Sequence, residues 1–204
     1  MKHPPPRPFV VSRETEDRLR AYADLLTRWN RTINLVSRND IADVWNRHIE
    51  DVLQLVPLLP PNLTDAIDLG SGAGLPGLVL AIATNCHFHL IESDQRKAAF
   101  LGEATRITGA QTTVHACRIE TATIPRVRLV TARALAPLST LIELALPFLD
   151  QDGSLLAPKG QTAEAELTAA QTRWHMRVER IASVTSPAAT ILKITEVSRV
   201  GRQN

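Results

Sequence analysis

The chain has 204 residues, of which 44% are hydrophobic and 22% charged, and its formal net charge is +2 at pH 7. This composition indicates one globular domain with a short extension, and no apolar run is long enough to span a membrane. The weakly basic charge permits a nucleic-acid partner, whereas an aromatic content of 4% argues against a broad base-stacking platform.

The first 61 residues are predicted to form a helical extension. Residues 1–11 are rich in proline. Ser12 is a candidate N-cap for a helix whose apolar residues recur at helical spacing from Leu19 to Ile33. A second helical pattern covers residues 41–55, with Asn39 or Asp40 as its cap. We therefore divide the chain into a helical extension, residues 1–61, and a main domain, residues 62–204.

Beyond residue 62, short β-like runs alternate with helical stretches, which predicts an α/β fold with a mostly parallel sheet covered on both faces. The predicted strands are residues 66–69, 88–92, 113–116, 129–132 and 154–158. The predicted helices are residues 75–84, 95–108, 137–149 and 163–171. Two final β-like runs, residues 176–182 and 189–197, have no helix between them and predict a closing antiparallel hairpin. Such an ending favours a methyltransferase-type sheet over an NAD-binding one.

A glycine-rich turn follows the first predicted strand. Gly70, Gly72, Gly74 and Gly77 fall within eight positions, and the last three fit the G-x-G-x-x-G pattern of nucleotide-binding turns. Glycine allows a positive φ and a close approach of ligand to backbone. The turn therefore predicts a site for a nucleotide-like ligand at the carboxyl end of a strand.

Two acidic residues narrow the choice of ligand. Asp68 precedes the turn, where its carboxylate can face a cationic cofactor. Glu92 follows the second predicted strand, roughly 20 residues on, where a carboxylate accepts hydrogen bonds from a ribose diol; the alternative for Glu92 is a solvated charge. NAD and S-adenosylmethionine both carry a ribose, but Asp68 suits the sulfonium better than an anionic pyrophosphate.

The cysteines and the N-terminal residues indicate the cellular compartment in which the protein works. Cys86 and Cys117 do not form a Cys-x-x-Cys pair, so the sequence predicts no metal site and no redox motif. Unpaired thiols suit a reducing compartment, and the N-terminal residues lack the apolar core of a signal peptide. We expect a cytoplasmic protein.

Five motifs occur in order along nearly the whole chain. They are WNRTINLVS at residues 29–37, RHIED at 47–51, DLGSGAGLPG at 68–77, RA at 133–134 and LAPKG at 156–160. In this order they resemble the bacterial 16S ribosomal RNA guanine-N7 methyltransferases of the glucose-inhibited-division-B type. One departure is Val52, which stands where the family motif usually continues with serine.

The resemblance implies a class I, Rossmann-like, S-adenosylmethionine-dependent methyltransferase. It implies methylation of N7 of one guanine in 16S rRNA, at the position equivalent to the family's G527, with the small ribosomal subunit as partner. It also implies two catalytic residues, Arg133 next to the methyl-transfer site and Lys159 at the end of the fifth predicted strand. It implies cofactor contacts from Gly70, Leu75, Ile119, Glu120 and Arg133. Together with the residues of the turn and the two acidic residues, the predicted cofactor-binding set is Asp68, Gly70, Gly72, Gly74, Leu75, Glu92, Ile119, Glu120 and Arg133.

Several alternatives stay open at this point. Arg133 and Lys159 can instead pair with neighbouring carboxylates. His48 can be a core histidine, a histidine that bridges the extension to the sheet, or a catalytic residue. An NAD(P)-dependent oxidoreductase and a non-catalytic rRNA-binding assembly factor are the alternative functions. We expect a monomer that binds neither a membrane nor a metal.

Overall fold

Seven strands form a single sheet in the computed structural model, which describes residues 9–37 and 41–201. The strands are β1 (Asp65–Leu69), β2 (His87–Ile91), β3 (Thr112–His115), β4 (Val127–Thr131), β5 (Leu149–Lys159), β6 (Trp174–Ala182) and β7 (Thr190–Arg199). Their order is β3-β2-β1-β4-β5-β7-β6. Strands β1 to β5 pair in parallel, while β7 is antiparallel to both β5 and β6. The predicted mostly parallel sheet with a closing hairpin is confirmed.

Helices cover both faces of this sheet. They are α1 (Arg13–Trp29), α2 (Glu50–Leu53), α3 (Gly77–Thr84), α4 (Gln95–Thr108), α5 (Leu138–Ala145) and α6 (Ala163–Gln171). Helices α1 to α4 pack on one face of the sheet and form one apolar core with it. Helices α5 and α6 pack on the opposite face and form a second apolar core. Within the described ranges, no helix has both the length and the apolar character needed to cross a membrane. The division of the chain at residues 61 and 62 stays a prediction.

Helix α1 begins as the sequence predicted but ends earlier. The hydroxyl of Ser12 accepts a hydrogen bond from Thr15 N at 3.1 Å, which confirms it as the N-cap. The periodic pattern continued to Ile33, yet the helix stops at Trp29. The cause is Asn30, whose side-chain oxygen accepts from Leu35 N and Val36 N, both at 2.9 Å, and so folds the following chain into a turn.

The prediction of one continuous helix over residues 41–55 is wrong. A 3₁₀ turn (Ile41–Asp43), a π turn (Trp45–Ile49), the short α2 and a second 3₁₀ turn (Val56–Leu58) take its place. A π turn widens the backbone by one residue, and such turns are frequent at functional sites. The apolar spacing was read as regular helix because it does not reveal this extra residue. The candidate caps Asn39 and Asp40 lie outside the described residues.

Element boundaries were predicted best where a cap fixes them. Helix α4 spans the predicted residues, because Asp94 caps its start by accepting from Arg96 N and Gly109 ends it in a left-handed conformation. The helix predicted over residues 137–149 ends at Ala145 instead. A 3₁₀ turn that contains Pro147 follows, since proline has no N–H to continue an α-helix, and β5 begins directly after it.

The start of α3 depends on a glycine that packs tightly. A Cβ atom added to Gly77 would lie 2.5 Å from Asp68 Cβ and 2.8 Å from Leu90 Cδ2. Gly77→Ala is therefore expected to lower the free energy of unfolding by about 1–3 kcal/mol through overpacking. The matched control is Gly102→Ala in α4, where an added Cβ meets nothing within 4 Å; it should gain about 0.5–1 kcal/mol, the usual helical preference for alanine. Urea unfolding of both variants measures this, and equal stabilities would contradict the packing argument.

Candidate cofactor and substrate site

The glycine turn after β1 forms a rigid loop at the carboxyl edge of the sheet. Gly70, Gly72 and Gly74 have φ angles of +63°, +52° and +84°, a region that side chains disfavour. The phenol of Tyr22, fully buried on α1, donates to the carbonyl of Ala73 at 2.7 Å. The extension thus braces the loop from behind, a role that helical spacing alone did not reveal for Tyr22.

Glu92 ties this loop to the chain that follows β2. Its Oε2 accepts from Gly72 N at 2.9 Å and its Oε1 accepts from Asp94 N at 2.7 Å. The carboxylate is only 7% exposed, so it is not the solvated charge considered from the sequence. Each carboxylate oxygen has two lone pairs and keeps one acceptor position beyond these bonds.

Five of the predicted cofactor residues line one cavity of about 360 Å³: Gly70, Gly72, Glu92, Ile119 and Glu120. The last two come from the 3₁₀ turn Ile119–Thr121 that follows β3. Lys97 at the start of α4 and the segment 134–136 after β4 complete the wall. With Leu144 of α5, the cavity brings together residues from five separate stretches of the chain.

The remaining predicted cofactor residues lie elsewhere. Gly74 and Leu75 are buried inside the loop, and Asp68 is fully buried beneath it. The Oδ1 of Asp68 accepts from Thr131 Oγ1 at 2.7 Å, and its side chain packs against Gly77 at the start of α3. Asp68 thus lies beneath the first turn of α3, while Arg133 lines the neighbouring cavity described below.

Burial raises the pKa of Asp68 to about 6, although the hydrogen bond from Thr131 lowers it. Because the folded state binds this proton more tightly than the unfolded chain, the contribution of Asp68 to stability falls as pH rises. Between about pH 3 and 7 the free energy of unfolding should drop by about 3 kcal/mol relative to Asp68→Asn. Urea unfolding of both proteins across this range measures the difference.

A control for that experiment lies at the start of the same strand. Partial burial raises the pKa of Asp65, but hydrogen bonds from Thr64 and His87 outweigh it and hold the pKa below its usual value. Asp65→Asn should therefore give a pH dependence of opposite sign, with the wild-type advantage lost as pH falls. A wild-type stability that is flat relative to Asp68→Asn would contradict the assignment.

A second cavity, of about 450 Å³, adjoins the first through the shared segment 134–136. Arg133 lines it, and its guanidinium donates to Asp51 Oδ2 and to His48 Nδ1, each at 3.0 Å. A guanidinium only donates, so His48 is neutral and carries its proton on Nε2. The extension thus holds Arg133 through His48, which bridges the extension to the sheet.

Lys159, at the end of β5, is the second cation of this cavity. Its ammonium donates to Glu166 Oε2 and to the carbonyl of Ala136, both at 2.9 Å. Glu166 also accepts from Leu138 N at 2.9 Å, and the Lys159 contact helps to hold its pKa below the usual value although burial opposes this. Lys159 therefore fixes the segment that separates the two cavities.

A polar network also attaches the β6–β7 loop to this cavity. Thr185 Oγ1 donates to Asp51 Oδ1 at 2.6 Å, and Gln54 accepts from Val184 N at 2.9 Å. Sequence reasoning did not identify Gln54, Thr185 or Glu166. The role of Asp51 was also missed, although it stands in the RHIED motif, which was the one available signal.

Comparison with known protein families gives a match over most of the chain. Residues 15–194 match the model of the family described as rRNA small subunit methyltransferase G. The chain belongs to this family. The ribosomal RNA small subunit methyltransferase G of Granulibacter bethesdensis is 59% identical to this chain over 190 residues. The match covers 93% of this chain and 89% of that protein. The protein of Gluconobacter oxydans is 56% identical over 191 residues, 94% of this chain and 98% of that protein.

Solved structures show the same fold at low sequence identity. The ribosomal protein L11 methylase of Lactobacillus delbrueckii subsp. bulgaricus aligns with a TM-score of 0.58 and 14% identity over 74% of this chain and 77% of that one. The glycopeptide N-methyltransferase MtfA, solved with S-adenosyl-L-methionine, aligns with a TM-score of 0.59 and 7% identity. The alignment covers 72% of this chain and 93% of that one. The fold is therefore that of class I methyltransferases, as the sequence predicted.

Proposed function

We propose that this member of the rRNA small subunit methyltransferase G family transfers a methyl group from S-adenosylmethionine to N7 of one guanine in 16S rRNA. The observation that carries the proposal is the pair of cavities that meet at residues 134–136. One contains the glycine loop and Glu92, and the other contains Arg133 and Lys159. A methyl donor and an acceptor base must lie side by side, which is the relation of these two cavities.

The residues of the first cavity fit S-adenosylmethionine. Glu92 keeps acceptor positions for a ribose diol, and Gly70 and Gly72 leave their backbone open to the ligand. When bound there, S-adenosylmethionine supplies an electrophilic methyl group on its sulfonium. Gly70, Gly72, Glu92, Ile119 and Glu120 are the residues proposed to hold it.

The alternative cofactor, NAD, fits the loop less well. NAD-binding turns present the N-terminus of the following helix to a pyrophosphate. Here the side chain of Asp68 packs directly against Gly77, the first residue of α3, and both residues are buried. A pyrophosphate at this helix end would be repelled by the carboxylate of Asp68, whereas a cationic ligand would be attracted to it.

The reaction needs little acid–base chemistry from the protein. Guanine N7 has a lone pair and no proton at neutral pH, so no residue has to act as a base before attack. The chain contributes by holding the base close to the methyl donor, and positioning of this kind can supply about 7–11 kcal/mol. Charge passes from sulfur to the guanine ring, so a cation cannot assist by neutralising it.

Arg133 and Lys159 therefore have orienting roles in the proposal. Guanine O6 accepts hydrogen bonds from arginine and lysine. Arg133 has five N–H donors, and the contacts to Asp51 and His48 use two of them. The remaining donors can hold O6 or a nearby phosphate while N7 stays open to the methyl group.

The proposed substrate is a structured region of the small subunit. Specific RNA recognition usually targets loops and unpaired bases. Arg31 and Arg96 line one polar groove of about 560 Å³ beside the end of α1, where phosphates could be held. We expect cytoplasmic small subunits, rather than a free hairpin, to be methylated.

The decisive experiment maps N7-methylguanosine by mass spectrometry in small-subunit RNA treated with the protein and S-adenosylmethionine, against untreated RNA. A single new N7-methylguanosine supports the proposal, and methylation at another atom contradicts it. Calorimetry with S-adenosylmethionine and with NAD separates the oxidoreductase alternative. Binding of the subunit without methyl transfer would indicate the assembly factor.

A further inference from the structure

A cluster of imidazoles and one carboxylate lies on the face of the sheet opposite α1 to α4, away from both cavities. Phe88 and Leu90 of β2 are buried in the core beneath those helices. Side chains alternate along a strand, so His87 and His89 point to the other face. The chain between β3 and β4 forms only the 3₁₀ turn Ile119–Thr121 there. This part of the sheet is lined by histidines rather than by apolar residues under a helix.

The strand register brings a carboxylate to these histidines. Asp65 of β1 pairs with His87 across the parallel strands, and Asp65 Oδ1 lies 3.1 Å from His87 Nδ1. One ligand atom each from Asp65, His87 and His89 lie within 4.8 Å of one another. Around Zn²⁺, tetrahedral ligands at 2.0–2.1 Å stand about 3.3 Å apart. Small side-chain rotations therefore suffice to bring all three onto one ion.

We propose that Asp65, His87 and His89 form a site for a divalent transition-metal ion of the Zn²⁺ type. The donor set, two imidazoles and one carboxylate, is one that Zn²⁺ uses with a water in the fourth position. The sequence predicted no metal, because Asp65 and His87 are adjacent only through the pairing of β1 with β2. The three ligands would connect the amino-terminal halves of these two strands.

The surroundings of the two imidazoles supply independent support. His87 Nε2 lies 2.9 Å from Thr113 Oγ1, and His89 Nδ1 lies 3.0 Å from His115 Nε2. Metal-binding histidines almost always donate their second ring nitrogen to such a partner, which fixes the ring and its tautomer. These contacts leave His87 Nδ1 and His89 Nε2 for the ion.

The test uses the full chain without an affinity tag, stripped with a chelator and titrated with Zn²⁺ in a calorimeter. We expect one ion per chain. His89→Ala should weaken binding at least about tenfold, because one of three protein ligands is lost. His175→Ala is the matched control, since His175 is exposed on β6 outside the cluster, and it should bind Zn²⁺ as the wild type does. Co²⁺ should give the visible absorption of a tetrahedral site in the wild type and in His175→Ala, and not in His89→Ala.

Thermal unfolding gives a second measurement that does not depend on methyl transfer. A ligand at 100-fold excess over its Kd should raise the Tm by about 5–10 °C in a chain of this length. Asp65→Asn, a nearly isosteric change, should abolish that rise and serves if His89→Ala does not fold. Equal Zn²⁺ affinity in the wild type, His89→Ala and Asp65→Asn would overturn the proposal, as would an absence of stoichiometric binding. The site lies apart from the glycine loop, so its failure leaves the proposed function untouched.

Discussion

Replacing Arg133 with alanine is expected to lower kcat/KM for methyl transfer by about 100-fold. The affinity for S-adenosylmethionine should stay nearly unchanged. Arg133 lines the second cavity, whereas the glycine loop and Glu92 line the first. Its loss therefore removes an orienting contact to the base and leaves the cofactor residues in place. Single-turnover methylation of small subunits and calorimetry with S-adenosylmethionine measure the two quantities separately.

Two further variants distinguish orientation from simple charge. Arg133→Lys keeps the charge but loses the planar fork that donates to Asp51 and His48 together, so it should not restore activity. Asp51→Asn keeps the volume and removes the ion pair. It should cost about tenfold in kcat/KM, because Arg133 is then held less firmly.

A control variant removes an arginine from an exposed pair. Arg177→Ala breaks the contact with Glu196 at 3.5 Å, where both side chains are well exposed, and pairs of this kind contribute little. Its turnover should equal that of the wild type. Unchanged turnover in Arg133→Ala would remove Arg133 from the site, and a matching loss of cofactor affinity would place it in the first cavity instead.

The parts of the fold that the sequence predicted well have local causes. Asp94 and Gly109 mark the ends of α4 because capping acts within a few residues. The closing hairpin followed from two β-like runs with no helix between them. The π turn at Trp45–Ile49 was missed because the apolar spacing around it still resembles a regular helix.

The proximity of two parts of the candidate site could be predicted for a topological reason. The carboxyl ends of parallel strands meet at one edge, so the turn after β1 and Glu92 after β2 had to lie close together. The ion-pair partner of Arg133 could not be predicted from the strand topology. Asp51 lies in another part of the chain, and only the packing of the extension against the sheet brings it to 3.0 Å.

Glu92→Ala is expected to weaken S-adenosylmethionine binding by about 100-fold, the largest effect predicted for the first cavity. The change removes the proposed ribose contact and leaves Gly72 N and Asp94 N without their carboxylate acceptor. Hydrogen bonds to a charged group contribute about 1.5–3 kcal/mol each, so the loop also loses its fixed conformation. Calorimetry with S-adenosylmethionine measures the Kd.

Matched variants separate the cofactor contact from the start of α4. Glu92→Gln keeps one acceptor oxygen for the two N–H donors, so it should weaken binding by an intermediate factor of about ten. Asp94→Ala removes the cap of α4 and should lower stability by about 1 kcal/mol without a comparable loss of affinity. If Asp94→Ala weakened binding as much as Glu92→Ala, the role of Glu92 would be to order α4. If affinity fell only in the Glu92 variants, the Glu92 carboxylate would act through the glycine loop and the ligand. Asp94→Ala leaves the hydrogen bond from Gly72 N to Glu92 in place, so it does not disturb the loop.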